Sequence, residues 1–262
     1  MRISIREVND YIRCPLYYKL KNIDEIPVNL DINDHFKDMF KLAIYYYYFS
    51  IIEGKSRSFE AMMKRWEELW FSRDMLETFP EEAIKEKSNE AVMIMTDFMK
   101  KYGGEKVTPI AVNFSYEAIF DGPENLHVTG EIDLIKILND RTARSETCIG
   151  MFNVSKHYPD TFFIKNDLSI SVASYAFRSG FKAKEDKIVV HNLRCSDDTP
   201  TLRTGGDYSR AEKAIRNIKR GIDGGIFYPS PNAISCSSCP YKMFCLNDKS
   251  INTGGKLDEP RG

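Results

Sequence analysis

Cysteine is the residue through which this chain most plainly offers chemistry. Three of its six cysteines stand together in CSSCPYKMFC as Cys236, Cys239 and Cys245, a C-x2-C-x5-C pattern. Thiolates bind soft metals, and sets of four suit zinc or an iron–sulfur cluster. The local set therefore lacks one ligand. Zinc ribbons close with a second C-x-x-C pair, which is missing, and neither His157 nor His191 has ligand spacing to the cluster. Cys148 and Cys195 lie in apolar, strand-like runs and read as buried small hydrophobes. Cys14 is different. It sits in a polar helical segment beside Tyr11, Tyr17 and Tyr18, and is followed by proline as Cys239 is by Pro240. A ligand so far upstream would close a very long loop, where a cross-link can in principle stabilise most.

The elements that must position these residues follow from pattern. Ser4 and Glu7 form an S-x-x-E capping box, with Ile5, Val8 and Ile12 at helical spacing behind it and Pro15 to break or restart the helix. Residues 32–104 carry apolar residues at threes and fours, with Gly54 and Gly103 at helix ends, and form a helical subdomain. The stripe Tyr45 to Tyr48 reads as core. The period then changes. Residues 106–120, 127–138 and 147–155 are rich in Val, Ile, Phe and Thr and predict an antiparallel meander. A helix over 167–180 packs on that sheet, and 187–195 adds a strand. An amphipathic helix over 209–225 buries Ala211, Ile215, Ile218 and Ile222 and crowds Arg210, Lys213, Arg216, Lys219 and Arg220 on its other side. One domain over 1–250 is expected, with a disordered polar tail over 251–262.

Bulk properties exclude several classes. A hydrophobic content of 42% with 29% charged residues describes a soluble globular protein. A net charge of −1 means that any nucleic-acid surface must be local. The opening MRISIREVND lacks the apolar core of a signal peptide, and the run from Leu42 to Ile52 is too short to span a bilayer. The expected location is cytoplasmic, in the host cytoplasm if the source is a virus, with no membrane partner. Disulfides are rare there, which returns the cysteines to metal chemistry.

With "CPLYYKL" around Cys14 and "GIFYPSPNAISCSSCPYKMFC" around the other three, the chain resembles the iron–sulfur branch of the PD-(D/E)XK nucleases, the Cas4 and RecB/AddB-type nuclease domains. The resemblance runs from about residue 3 to 247. It implies an α/β fold with a restriction-endonuclease-like core, a mixed sheet flanked by helices, a helical insertion, and termini stapled by a [4Fe–4S] cluster on Cys14, Cys236, Cys239 and Cys245. Zinc is the alternative occupant. It also implies phosphodiester hydrolysis assisted by Mg²⁺ or Mn²⁺, held by acidic side chains and supported by a lysine.

GEID, residues 130–133, matches the G-x-x-D strand of that family, with Asp133 as first metal ligand. The next strand departs from it. IGMFNVSKHYPD places Met151 at the second acid and Asn153 at the lysine. Methionine cannot serve a hard divalent cation, and asparagine carries no charge. The following helix keeps Tyr175 but has Ser171 in place of glutamine, the strand before GEID has Asn113 in place of an acid, and the upstream histidine position falls near Ile44 to Tyr46. The implied protein is a degenerate nuclease that binds DNA, single-stranded or at duplex ends, through Tyr175 and the basic helix, among protein partners of a replication, recombination, repair or defence assembly. The alternative is an active Mg²⁺- or Mn²⁺-dependent exonuclease that uses Asp133 with Glu131 and a relocated Lys156. A weaker alternative is a zinc-stabilised interaction protein.

Overall fold

The computed structural model describes residues 1–29, 31–55, 57–139, 145–155, 160–195 and 197–247. The expected tail, 251–262, and Lys156 lie outside them. The chain opens with β1 (Arg2–Ser4) and α1 (Ile5–Arg13). Ser4 caps α1, its hydroxyl accepting from the Glu7 N–H at 3.2 Å while the Glu7 carboxylate accepts from the Ser4 N–H at 2.8 Å. Extended backbone at Cys14 ends that helix, so the segment is two helices and not one. α2 (Pro15–Tyr18) restarts at the proline, which has no N–H to lose at a first helical position, and runs into a π-helical turn over Lys19–Ile23.

Four helices form the expected helical region: α3 (Ile32–Ile52), α4 (Phe59–Trp70), α5 (Arg73–Thr78) and α6 (Glu81–Tyr102). The sheet and its helices follow as β2 (Val107–Phe120), β3 (Leu126–Asn139), β4 (Ser145–Asn153), α7 (Thr161–Asn166), α8 (Leu168–Phe181), β5 (Lys187–Asn192), β6 (Asp197–Thr201) and α9 (Gly205–Asp223). Two short helices follow: α10 (Ala233–Ser237) carries Cys236, α11 (Lys242–Asn247) carries Cys245, and Cys239 lies between them. This is a mixed α/β fold whose mixed sheet is flanked by helices. One apolar core joins α3, α4 and α6 to Val112, Leu134 and Phe152. Another joins α1, α8 and α9 to Ile132, Ile135, Ile149 and Ile188.

β3 is the hub of the sheet. One edge pairs antiparallel with β2 along its length. The other edge pairs parallel with β1 over His127–Thr129, then antiparallel with β4 over Leu134–Asn139. Between those two ladders lie Gly130–Asp133, so the sheet splits at the GEID stretch. β4 leaves β3 after Gly150 and continues beside β5, parallel to it, and β6 closes that edge antiparallel.

Three sequence expectations need correction. Cys148 is buried, where burial pushes its thiol up to about 11, but Cys195 is exposed, because β5 ends at Asn192 and the chain turns there. The basic helix begins at Gly205, where Thr204 and Asp207 form a second capping box that the apolar pattern does not register. β1, β6 and α7 are too short for periodicity to reveal.

A polar cluster ties α6 to the far edge of the sheet. The Asp198 carboxylate accepts from the Tyr102 hydroxyl at 2.5 Å and from His191 Nδ1 at 2.7 Å, and pairs with Lys101 at 2.9 Å. Burial holds the His191 imidazole below its usual range. Burial raises the Asp198 carboxyl, but the bonds from His191, Tyr102 and Lys101 prevail and hold it well below the carboxylate range. Both groups bind protons more weakly folded than unfolded, so acid favours unfolding. Stability should therefore decline as pH falls below about 6.5, through His191, and decline further below about 4, through Asp198. Asp198→Asn should flatten the second decline. Denaturant unfolding at stepped pH checks this, and a profile unaltered by the substitution contradicts it.

Candidate functional site

The split in the sheet opens onto a cleft. Its larger cavity, about 620 Å³, is lined by Arg2 and Ser4 of β1, Arg6 of α1, and Glu131, Asp133 and Met151 of the sheet, among others. A smaller one of about 230 Å³ shares Lys41, Asp133 and Met151 with it and adds Asn153, Phe163 and Asp167. A Cβ at Gly130 would run into the Tyr116 hydroxyl, so any larger residue there would have to displace that ring.

Asp133 lies at the bottom, 5% exposed. The ladder between β3 and β4 has stopped, and the Phe152 N–H donates instead to Asp133 Oδ2 at 2.6 Å. The Lys41 ammonium reaches both carboxylate oxygens, at 3.0 and 3.3 Å, and the Tyr45 hydroxyl donates to Oδ1. Burial first, then the neighbouring Asp133 charge and that hydrogen bond, raise the Tyr45 phenol far above its ordinary range, so it stays a donor. Two further pairs ring the cleft: Arg6 with Glu131 at 3.0 Å and Arg2 with Glu117 at 3.6 Å. Each of these carboxylates faces a cation from β1, α1 or α3, and the cleft is close to charge-balanced.

Several expected residues do meet here. Asp133, Glu131, Met151 and Asn153 line the cleft. Asn113 stands opposite Asp133 in the β2–β3 register, but its φ of +49° interrupts the ladder and its side chain is exposed. Ser171 and Tyr175 are elsewhere. The Ser171 hydroxyl is buried, donating to the Asp167 carbonyl and accepting from Arg203 at 2.9 Å. Tyr175 stacks on Phe120 at 4.3 Å and donates to the Ile119 carbonyl.

The basic face of α9 is largely engaged within the molecule. Arg216 donates to the carbonyls of Phe120, Asp121 and Glu124 and so clasps the β2–β3 turn. Lys219 pairs with Asp223, and Arg210 bonds Asn166 and Asp207. Lys213 and Arg220 are exposed. Sequence reasoning missed Lys41, and it read Tyr45 as core although the upstream histidine position it assigned, Ile44 to Tyr46, contains that residue. Their signal was present, since residues four apart share a helix face and Lys41 is a charge four residues ahead of an apolar aromatic run.

The second site joins the two ends of the described chain. Cys14, Cys236, Cys239 and Cys245 line one apolar cavity of about 250 Å³ with Leu16, Tyr17, Leu20 and Tyr241. The Leu16 N–H donates to the Tyr228 carbonyl at 3.1 Å, the Ser230 N–H to Cys14 Sγ at 3.3 Å, and the Tyr241 hydroxyl to the Ile26 carbonyl at 3.2 Å. Tyr17 meets Tyr241 edge to face at 5.4 Å. These thiols are the donors that could hold a metal centre. Among the described residues no three His, Cys, Asp or Glu side chains converge on the position of a single metal ion.

No known protein family matches this chain, and no curated protein matches it in sequence. Among solved structures it is similar to the crystal structure of SSO0001, at 11% identity over 70% of this chain and 79% of that one, with a TM-score of 0.37. An overlap that loose does not define a shared fold. Among the described residues no helix is long and apolar enough to cross a membrane.

The Asp133 network makes a direct prediction. Lys41→Met removes the countercharge of a buried carboxylate and should cost about 1–3 kcal/mol, less than a fully buried pair because Lys41 is partly exposed. Adding Asp133→Asn should recover much of that loss, since the amide oxygen can accept from the Phe152 N–H while its NH2 group donates to the Tyr45 hydroxyl, and the amide needs no countercharge. Equilibrium unfolding of the single and double variants checks this. Losses that simply add would refute the pairing.

Proposed function

We propose that this protein is a nuclease-fold DNA-binding protein of the PD-(D/E)XK type whose hydrolytic site has been retired. One observation carries the reading. Both oxygens of Asp133, the side chain that would hold the metal, are taken by Lys41, Tyr45 and the Phe152 N–H. Met151 and Asn153 line the same cleft, where a second acid and a lysine would be needed. Hydrolysis of this kind needs oxygen ligands for a hard cation and a positive charge beside the phosphate. Here an internal ammonium supplies the charge that the carboxylate requires. The order of elements supports the family assignment: GEID on β3, the departing motif on the next strand, then helix α8.

The cysteine cavity fits a [4Fe–4S] cluster better than zinc. A lone zinc ion would draw four sulfurs to within about 2.3 Å of one point. These thiols instead surround an apolar space, and among the described residues the side chains lining it include no carboxylate or imidazole. A bound cluster would supply a covalent tie between α2 and the α10–α11 segment. Protein purified without oxygen should carry four irons and four sulfides per chain, as the [4Fe–4S] formula requires. Cys14→Ser should lose iron and unfold at lower denaturant. Zinc in place of iron, or unchanged iron and stability in the variant, would overturn the assignment.

A second reading, an active nuclease, draws on Glu131, which shares the cleft with Asp133. Cleavage of labelled single- and double-stranded DNA with Mg²⁺ or Mn²⁺ decides between them. The expected result is no cleavage above that of Asp133→Ala, together with DNA binding that weakens steadily as salt rises. Cleavage by the native chain that is abolished in Asp133→Ala would establish the second reading instead.

A further inference from the structure

At the mouth of the smaller cavity, α7 presents two aromatic rings to solvent. Phe162 is 68% exposed and Phe163 65%. A lone exposed apolar residue is ordinary on any protein surface. Two adjacent phenylalanines on a pinned turn are not a frayed end. Asp160 caps α7, accepting from the Phe162 and Phe163 N–H groups at 2.7 and 3.1 Å. Ile164, the residue after them, is buried, and its carbonyl accepts from Arg203 at 2.5 Å. Arg203 is itself buried and bonded to Ser171 and Thr201. The rings are thus held outward by a rigid base. They meet edge to face, 6.0 Å between centroids at 81°, so neither ring stacks on the other.

The surroundings favour a nucleic acid over an apolar partner. Phe163 lines the cavity that also holds Lys41 and Asp133. Lys165 is exposed on the same short helix, and Arg210 of α9 is brought to it through a 2.9 Å bond with Asn166. The nearby carboxylates Asp160, Asp167 and Asp207 cap α7, α8 and α9 respectively, and the N–H groups at those helix N-termini offset part of their charge. Aromatic faces beside cations are the arrangement that holds unpaired bases and their phosphates.

We propose that Phe162 and Phe163 are a stacking platform for the unpaired bases of single-stranded DNA, with Lys165 and Arg210 contacting its phosphates. This rests on the reading of the cleft as a DNA-binding site and names the form of DNA it takes. Duplex DNA keeps its bases stacked on one another and gains nothing from the platform.

The test uses the full chain, purified without oxygen, and three fluorescent probes: a thymidine oligomer, an abasic strand of the same length, and a duplex. The native chain should bind the thymidine oligomer more tightly than the abasic strand. Phe162→Ala/Phe163→Ala should weaken thymidine binding by at least about fivefold for one stacked base, more for two, and leave abasic binding unchanged. Phe162→Tyr/Phe163→Tyr should retain native affinity, since the π-face is kept. Both pairs are on the surface, and unchanged unfolding curves verify that the fold is intact. Native protein that binds the thymidine and abasic strands equally, or alanine variants that bind thymidine as well as native, would remove the platform and leave the DNA-binding reading standing. Failure of the native chain to bind any of the three probes would remove both, and direct the exposed rings to a protein partner.

Discussion

A single buried carboxylate organises the centre of this molecule. Asp133 sits where β3 and β4 part, so the Phe152 N–H loses the carbonyl it would meet in a continued ladder. An unpaired N–H and an unpaired carboxylate in that place would each cost free energy. They satisfy one another, and the charge that remains is met by Lys41 from α3, with Tyr45 beside it. Three elements distant in sequence are thereby fixed: the helical layer, the hub strand and the departing strand. The cleft exists because the sheet forks, and the fork is stable because the carboxylate is paired.

In the proposed reading, the same contact explains how a hydrolytic cleft can lose its chemistry and keep its form. A cleft built around a divalent cation depends on that cation to offset its acids. Here the ammonium is part of the chain, so the buried Asp133 carboxylate is paired without a metal. Arg2 with Glu117 and Arg6 with Glu131 carry the balance to the rim, where pairs this exposed contribute little stability. The rings of α7 stand at the adjoining edge, held by Arg203 from behind.

The cysteine cavity answers a second constraint, the docking of chain ends. β1 enters the sheet beside β3, which aims α1 and α2 away from it and toward the segment after α9. There the backbone bond from Leu16 to Tyr228 and the contact of Tyr17 with Tyr241 assemble the walls. The thiols are gathered by ordinary packing and hydrogen bonding. Cys14 could be singled out in the sequence because its context was polar and ended in proline, unlike the strand-like contexts of Cys148 and Cys195. That reasoning held for Cys148 and failed for Cys195, since an apolar run marks a strand but not the residue where it ends.

What the sequence by itself determined was the local and periodic part of this protein. The capping box of Ser4 and Glu7, the helical period over 32–104, the β-branched and aromatic runs of β2 to β4 and the amphipathic face of α9 are properties of neighbours, and neighbours are what a sequence displays. It also displayed that positions 151 and 153 carry methionine and asparagine, which offer neither a carboxylate nor a charge wherever they are placed. Tertiary structure alone decided the rest. Lys41 meets Asp133 across 92 residues, and Arg216 clasps a turn more than 90 residues away. Ser171 turns inward to Arg203, and short elements such as β1 and α7 persist only because a neighbouring strand or a buried arginine holds them. Such contacts follow from how the layers pack, and a linear pattern carries no record of which distant charge a buried group will find.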